Sequence, residues 1–166
     1  MGQVVSWERL LEAVARVRGR GGQVVFTNGC FDILHRGHEV YLGEAKGLGD
    51  ILVVGLNDDA SVRRLKGPGR PVNPVEVRAR ALSALSCVDY VLIFQEDTPE
   101  RLIAAVRPDV LAKGGDYRIE EVVGGDFVRS YGGKVVTLTR VEGVSTTEIL
   151  RKIQGFGIIG IIEENP

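Results

Sequence analysis

The chain has 166 residues, enough for one domain, and folding at this size buries roughly 70% of the surface an unfolded chain exposes. Apolar residues make up 44% and charged residues 26%, the usage of a soluble globular domain, which points to neither disorder nor membrane residence. Lys and Arg number 21 against 22 Asp and Glu, so no general positive field is available to hold a nucleic acid, while a local cluster of cations for a small anion stays open.

In chain order, Ser6 caps an opening helix through Val17, whose Leu10, Leu11, Val14 and Val17 recur at helical spacing and predict packing against a sheet. No signal-peptide core precedes it, and the longest aliphatic stretch, Ile158 to Ile162, is far short of the roughly 18 residues of a membrane helix, so a cytoplasmic location is expected. Strands are predicted at Gln23 to Thr27, Ile51 to Leu56, Tyr90 to Phe94, Val110 to Ala112 and Lys134 to Leu138, with helical patterns between them. Most are continuous apolar runs, as strands buried on both faces require. The expected class is therefore α/β, a single Rossmann-like, doubly wound parallel sheet of five strands with helices on both faces.

Helix boundaries are read from caps. Asn73-Pro74 and Thr98-Pro99 each set a capping side chain before a proline at the first helical position. Gly132-Gly133 ends a helix beginning near Glu120, and Ser145 with Glu148 forms a capping box. Lys66 to Val72, with Lys-Gly-Pro-Gly-Arg-Pro inside it, reads as a mobile basic loop. One domain is expected over 1–166, comprising an N-terminal helix (1–22), a catalytic core (23–153) and a tail (154–166) that carries no functional signal. Cys30 and Cys87 lack CxxC spacing and are too few for a disulfide framework, which suits a reducing compartment and supports no zinc site.

The chemistry concentrates where the first long strand runs into Thr27-Asn28-Gly29-Cys30-Phe31-Asp32-Ile33-Leu34-His35-Arg36-Gly37-His38 and a helix follows through Tyr41, Leu42 and Ala45. Open α/β sheets bind ligands at that carboxyl edge, and a helix starting near Gly37 aims free N–H groups and its positive dipole end at an anion. His35 and His38 are the only histidines in the chain, three residues apart, so both can converge on one phosphate, and Gly37 leaves room for it to approach the backbone. A two-histidine metal site is the rival reading, and it lacks the third protein ligand that catalytic zinc usually takes. No GxxxxGK with a following Ser or Thr is present, and the glycines at 19 to 22 precede the strand that a dinucleotide fingerprint would follow.

The run Gly29 to His38 resembles the HxGH signature of the cytidylyltransferase-like nucleotidyltransferases, and Gly143-Val144-Ser145-Thr146-Thr147 resembles their second nucleotide motif. Arg-Leu-Lys-Gly at 64 to 67, Arg-Pro-Val-Asn-Pro at 70 to 74, Glu-Asp-Thr-Pro at 96 to 99 and Lys-Gly-Gly-Asp-Tyr at 113 to 117 extend the similarity from about Val24 to Ile153, toward the adenylyltransferase domain of bifunctional heptose enzymes. The resemblance implies transfer of AMP from ATP to D-glycero-β-D-manno-heptose 1-phosphate, giving ADP-heptose and pyrophosphate for the lipopolysaccharide core. It also implies a separate heptose kinase, Mg²⁺ carried on the triphosphate, and a homodimer, the common state of relatives.

On the same resemblance, His35, His38 and Lys46 are the catalytic candidates, and Asn28, Gly29, Cys30, Phe31, Gly37, Val144, Ser145, Thr146 and Thr147 hold the nucleotide. Asp32, Lys66, Arg70, Arg78, Lys113, Gly115 and Asp116 hold the acceptor. Simpler alternatives stand beside several of these: Ser145 as a plain helix cap, Lys66 and Arg70 as a solvated loop, Arg78 in a surface ion pair. Asp32 could orient the turn, bind hydroxyls or reach the metal. Rival functions are a cytidylyltransferase acting on glycerol 3-phosphate with CTP and a silent nucleotide-binding sensor.

Overall fold

Parallel pairing throughout organises the molecule, seen in a computed structural model that describes residues 2–115 and 118–138. Its strands are β1 (Gln3–Val4), β2 (Val24–Gly29), β3 (Ile51–Asn57), β4 (Tyr90–Phe94), β5 (Val110–Gly114) and β6 (Lys134–Leu138), in the order β1-β4-β3-β2-β5-β6. The helices are α1 (Trp7–Gly19), α2 (Arg36–Lys46), α3 (Asp59–Lys66), α4 (Val75–Ser83), α5 (Glu100–Val106) and α6 (Gly125–Ser130), with a 3-10 turn at Ile119–Glu121.

Side chains alternate across each strand, so one sheet sorts its apolar residues into two cores. Val24, Phe26 and Val53 join Leu10 and Val14 of α1 and Ile103 of α5 on one face. Val25, Leu52 and Val54 join Leu42 of α2 and Leu82 of α4 on the other. The chain leaves β2 toward β3 and β4, then returns to place β5 on the opposite side of β2, with Val25 opposite Val110. Connections diverge between β2 and β5, and the crevice beyond their carboxyl ends is where such sheets bind ligands.

The α/β doubly wound class stands, with three adjustments. The sheet has six strands among the described residues instead of five, because Gln3–Val4 adds to β4 as a two-residue edge strand, both positions exposed and too short for any periodicity. Pro74 and Pro99 are themselves the N-caps of α4 and α5 and receive no side-chain cap; the Asn73 Nδ2 donates to the Asp32 carbonyl at 2.5 Å, while its Oδ1, the atom a cap would use, is buried without a hydrogen bond among the described residues. The helix expected from Glu120 divides at Gly124, whose φ of 84° breaks it, leaving the 3-10 turn before and α6 after; Gly132, at φ 91°, follows the end of α6. The Ser145 cap, the tail from 154 and Asp116 lie outside the described residues.

Candidate active site

The turn after β2 is shaped by Phe31, which takes a left-handed backbone (φ 46°) that a residue with a Cβ adopts at a cost. Its ring is buried, stacked on Tyr41 at 6.4 Å and edge-on to His38 at 5.3 Å, so packing offsets that cost and fixes the path of the loop. Tyr41 in turn shares a buried 3.0 Å hydrogen bond with Thr27 and lies against Gly114, where a Cβ would come within 3.2 Å of its ring.

His35 is the N-cap of α2. Its Nδ1 accepts the Gly37 N–H at 3.0 Å, and the Nδ1 of His38 accepts the His35 N–H at 3.3 Å. A nitrogen that accepts a hydrogen bond carries no proton, so both imidazoles are neutral, with N–H on Nε2. The rings stack with centroids 3.9 Å apart. Burial, reinforced by the neighbouring His35, holds the His38 pKa down at about 4, and burial lowers that of His35 as well. The pair is therefore uncharged at neutral pH.

A cavity of about 420 Å³ opens beside the turn, within the roughly 300–1,000 Å³ of small-molecule sites. Asn28 to Asp32 and His38 line it from the first turn, Asn57 from the end of β3, Lys66 and Arg70 from the basic loop, and Lys113 from β5. Asp97 to Pro99 and Glu121 to Val123 complete the wall. Burial lowers the Lys113 pKa, and its Nζ lies 3.4 Å from the Asn28 carbonyl oxygen. Burial also raises the Cys30 thiol, against the pull of Lys66, Arg78, Arg70 and Lys113, so it is a neutral packing group. Lys66, Arg70 and Lys113 on one cavity are the kinds of group that suit phosphoryl oxygens.

The cytidylyltransferase-like family matches residues 26–152, which include the turn, the histidines and the cavity. The chain belongs to that family. It is accordingly a nucleotidyltransferase. It is 57% identical over 151 residues to the bifunctional protein HldE of Ectopseudomonas mendocina, covering 91% of this chain and 32% of that protein. It is 56% identical over 154 residues to the HldE of Pseudomonas aeruginosa strain UCBPP-PA14, again covering 32% of the relative. The chain thus spans about a third of the length of these relatives. A crystal structure of the lipopolysaccharide core biosynthesis protein from Thermoplasma volcanium GSS1 superimposes with a TM-score of 0.64 at 31% identity, over 74% of this chain and all of that one.

In this cytidylyltransferase-like chain the structure gathers Asn28, Gly29, Cys30, Phe31, Asp32, His38, Lys66, Arg70 and Lys113 around one cavity. His35 and Gly37 stand at the adjoining helix start, and Gly115 follows the end of β5. Two expected residues are elsewhere. Lys46 closes α2 at the end away from the histidines, its Nζ donating at 2.7 Å to both the Asp89 carboxylate and the Asp50 carbonyl before β3. An 11-residue helix separates it from His35 by about 16 Å, so it stands far from the HxGH turn. Arg78 is neither surface-paired nor facing substrate: its side chain is wholly buried and donates to the carbonyls of Asn73, Cys30 and Asn57 and to Asp59. It ties three site loops together from beneath.

Of the three roles open to Asp32, orienting the turn is the one its contacts occupy. Its buried carboxylate accepts from Arg70 Nε at 2.7 Å and from the Val72 and Asn73 N–H groups at 2.9 Å. The basic loop is thus fastened over the cavity by its second half. Val144, Ser145, Thr146, Thr147 and Asp116 lie outside the described residues. Sequence reasoning missed Asn57, the first polar residue after an apolar strand, and Thr98, inside a motif it had noted without assigning; Glu121 gave no signal at all. Among the described residues no helix is long and apolar enough to cross a membrane.

Proposed function

We propose that the chain transfers AMP from ATP to D-glycero-β-D-manno-heptose 1-phosphate, releasing pyrophosphate and ADP-heptose for the lipopolysaccharide core. The observation that carries this reading is the 57% identity, over 91% of the chain, to one third of a bifunctional relative. The likeness to the Thermoplasma volcanium lipopolysaccharide core biosynthesis protein supports the same pathway. The remaining two thirds of such a relative leaves room for the kinase that supplies the sugar phosphate. ATP as the donor suits a cytoplasmic reaction.

An oxygen of the sugar phosphate attacks the α-phosphorus of ATP, the bond from that phosphorus to the bridging oxygen breaks, and pyrophosphate leaves with the electron pair. The nucleophile is already an anion, so the barrier is alignment and charge repulsion, and no general base is required. His38, and His35 beside it, face the triphosphate as uncharged rings, while Lys66, Arg70 and Lys113 neutralise phosphoryl oxygens in the cavity. Val144 to Thr147, and Asp116 with Gly115, complete the nucleotide and acceptor contacts in this reading.

Mg²⁺ belongs to this chemistry as an ion carried on the triphosphate. The donors present suit that role and not a protein cage: among the described residues no three His, Cys, Asp or Glu side chains cluster, and Asp32 is fully engaged by Arg70, Val72 and Asn73. Bound there, the ion would supply charge neutralisation to the phosphate oxygens.

Pyrophosphate release, with ATP and CTP each paired with heptose 1-phosphate and glycerol 3-phosphate, tests the assignment. Turnover confined to ATP with the heptose is expected; turnover with CTP and glycerol 3-phosphate moves the chain to the cytidylyltransferase reading, and binding of ATP without turnover in any pair makes it a sensor.

A further inference from the structure

The motif Glu96-Asp97-Thr98-Pro99 has no part in the chemistry above, yet its second half lines the cavity together with Glu121. The cavity straddles the sheet edge. Phe31 belongs to the core under α2 and α4, with His38 and Arg70 beside it, whereas Val122 and the α5 that Pro99 introduces belong to the core under α1. Thr98 and Glu121 thus line the cavity from the side of α5 and the 3-10 turn, and the HxGH turn lines it from the side of α2.

The loop carrying Thr98 is held from three sides. Arg64 donates to the Asp97 carboxylate at 2.7 Å and to the Gln95 carbonyl at 2.8 Å, Arg101 reaches Glu96 at 3.1 Å, and Asn57 Nδ2 lies 3.5 Å from the Glu96 carbonyl. Those contacts use up Asp97 and Glu96. The Thr98 hydroxyl and the Glu121 carboxylate make no hydrogen bond or ion pair among the described residues, although both line a cavity whose other lining includes three cations. A carboxylate accepts only, and a hydroxyl both donates and accepts. Lining the same cavity as the three cations, they match neighbouring hydroxyls on a phosphorylated polyol and disfavour an apolar tail.

We infer that Glu121, with Thr98, is a specificity-determining pair that reads the hydroxyls of the acceptor sugar while Lys66, Arg70 and Lys113 hold its phosphate. The inference rests on the sugar-phosphate reading above and adds the residues that select the sugar. Steady-state kinetics of wild type, Glu121→Gln, Glu121→Ala and Thr98→Val, with ATP and heptose 1-phosphate varied in turn, test it. The expected result is a rise of at least tenfold in KM for the heptose phosphate in both Glu121 variants, a smaller rise in Thr98→Val, and KM for ATP and kcat within about twofold of wild type. Glu121 is exposed, so the variants keep the fold, and unchanged melting checks this. Wild-type turnover of the heptose phosphate with unaltered KM in the Glu121 variants overturns the inference alone. Failure of the wild type to use any sugar phosphate overturns the acceptor reading, and the inference with it.

Discussion

Each imidazole of the HxGH turn spends its Nδ1 on a backbone N–H, so the sequence spacing both caps α2 and fixes the two rings, and the His38 ring is held further by the Ile33 backbone. That arrangement needs neutral histidines, and burial supplies them. Activity should accordingly show no His38 titration between about pH 6 and 8, since its pKa is held at about 4, whereas a catalytic imidazolium would lose rate through the ordinary histidine pKa of about 6.5. A kcat profile across that range checks it. Arg78, wholly buried with four acceptors, makes the opposite prediction: Arg78→Met should cost stability, by about 3–5 kcal/mol, through orphaned carbonyls and an unpaired Asp59, measured by urea unfolding.

At the scale of elements, the basic loop is positioned by Asp32 and not left free. Asp32→Asn removes the charge that Arg70 pairs with, and the expected outcome is faster proteolytic cleavage between residues 66 and 73, with a raised KM for the acceptor. The class of these elements was legible because β3 and β5 are continuous apolar runs and α1 shows its stripe plainly. Less was legible where tertiary contacts override local signals. Asn73 reads as a cap from its place before Pro74, but the Asp32 carbonyl takes its amide, and the fastened loop read as mobile because turn formers say nothing of a buried carboxylate 38 residues earlier. The HxGH turn could be found from sequence because its residues are adjacent; Thr98 and Glu121 meet the cavity only through the strand order. Lys46 looked catalytic because it follows the motif on the same helix, and helix length alone carries it to the wrong end.

For the whole molecule, the folded-state pKa of His38, about 4, lies below its unfolded value of about 6.5, so the unfolded chain binds the extra proton between them. This group's contribution is complete above about pH 6.5 and is lost progressively as pH falls toward 4, a loss that His38→Asn should abolish in unfolding titrations at pH 5 and 7. The switch point between β2 and β5 puts the catalytic turn, Lys113 and the fastened loop on one edge, while Lys46 and Asp89 clip the amino-terminal edge. Transfer at the HxGH turn is tested most directly by pyrophosphate release from ATP and heptose 1-phosphate in wild type, His38→Ala and Lys46→Ala side by side. The expected result is a fall of about 10²–10³-fold in kcat for His38→Ala and near-wild-type turnover for Lys46→Ala. Equal activity in His38→Ala, or an equal loss in a folded Lys46→Ala, would contradict it.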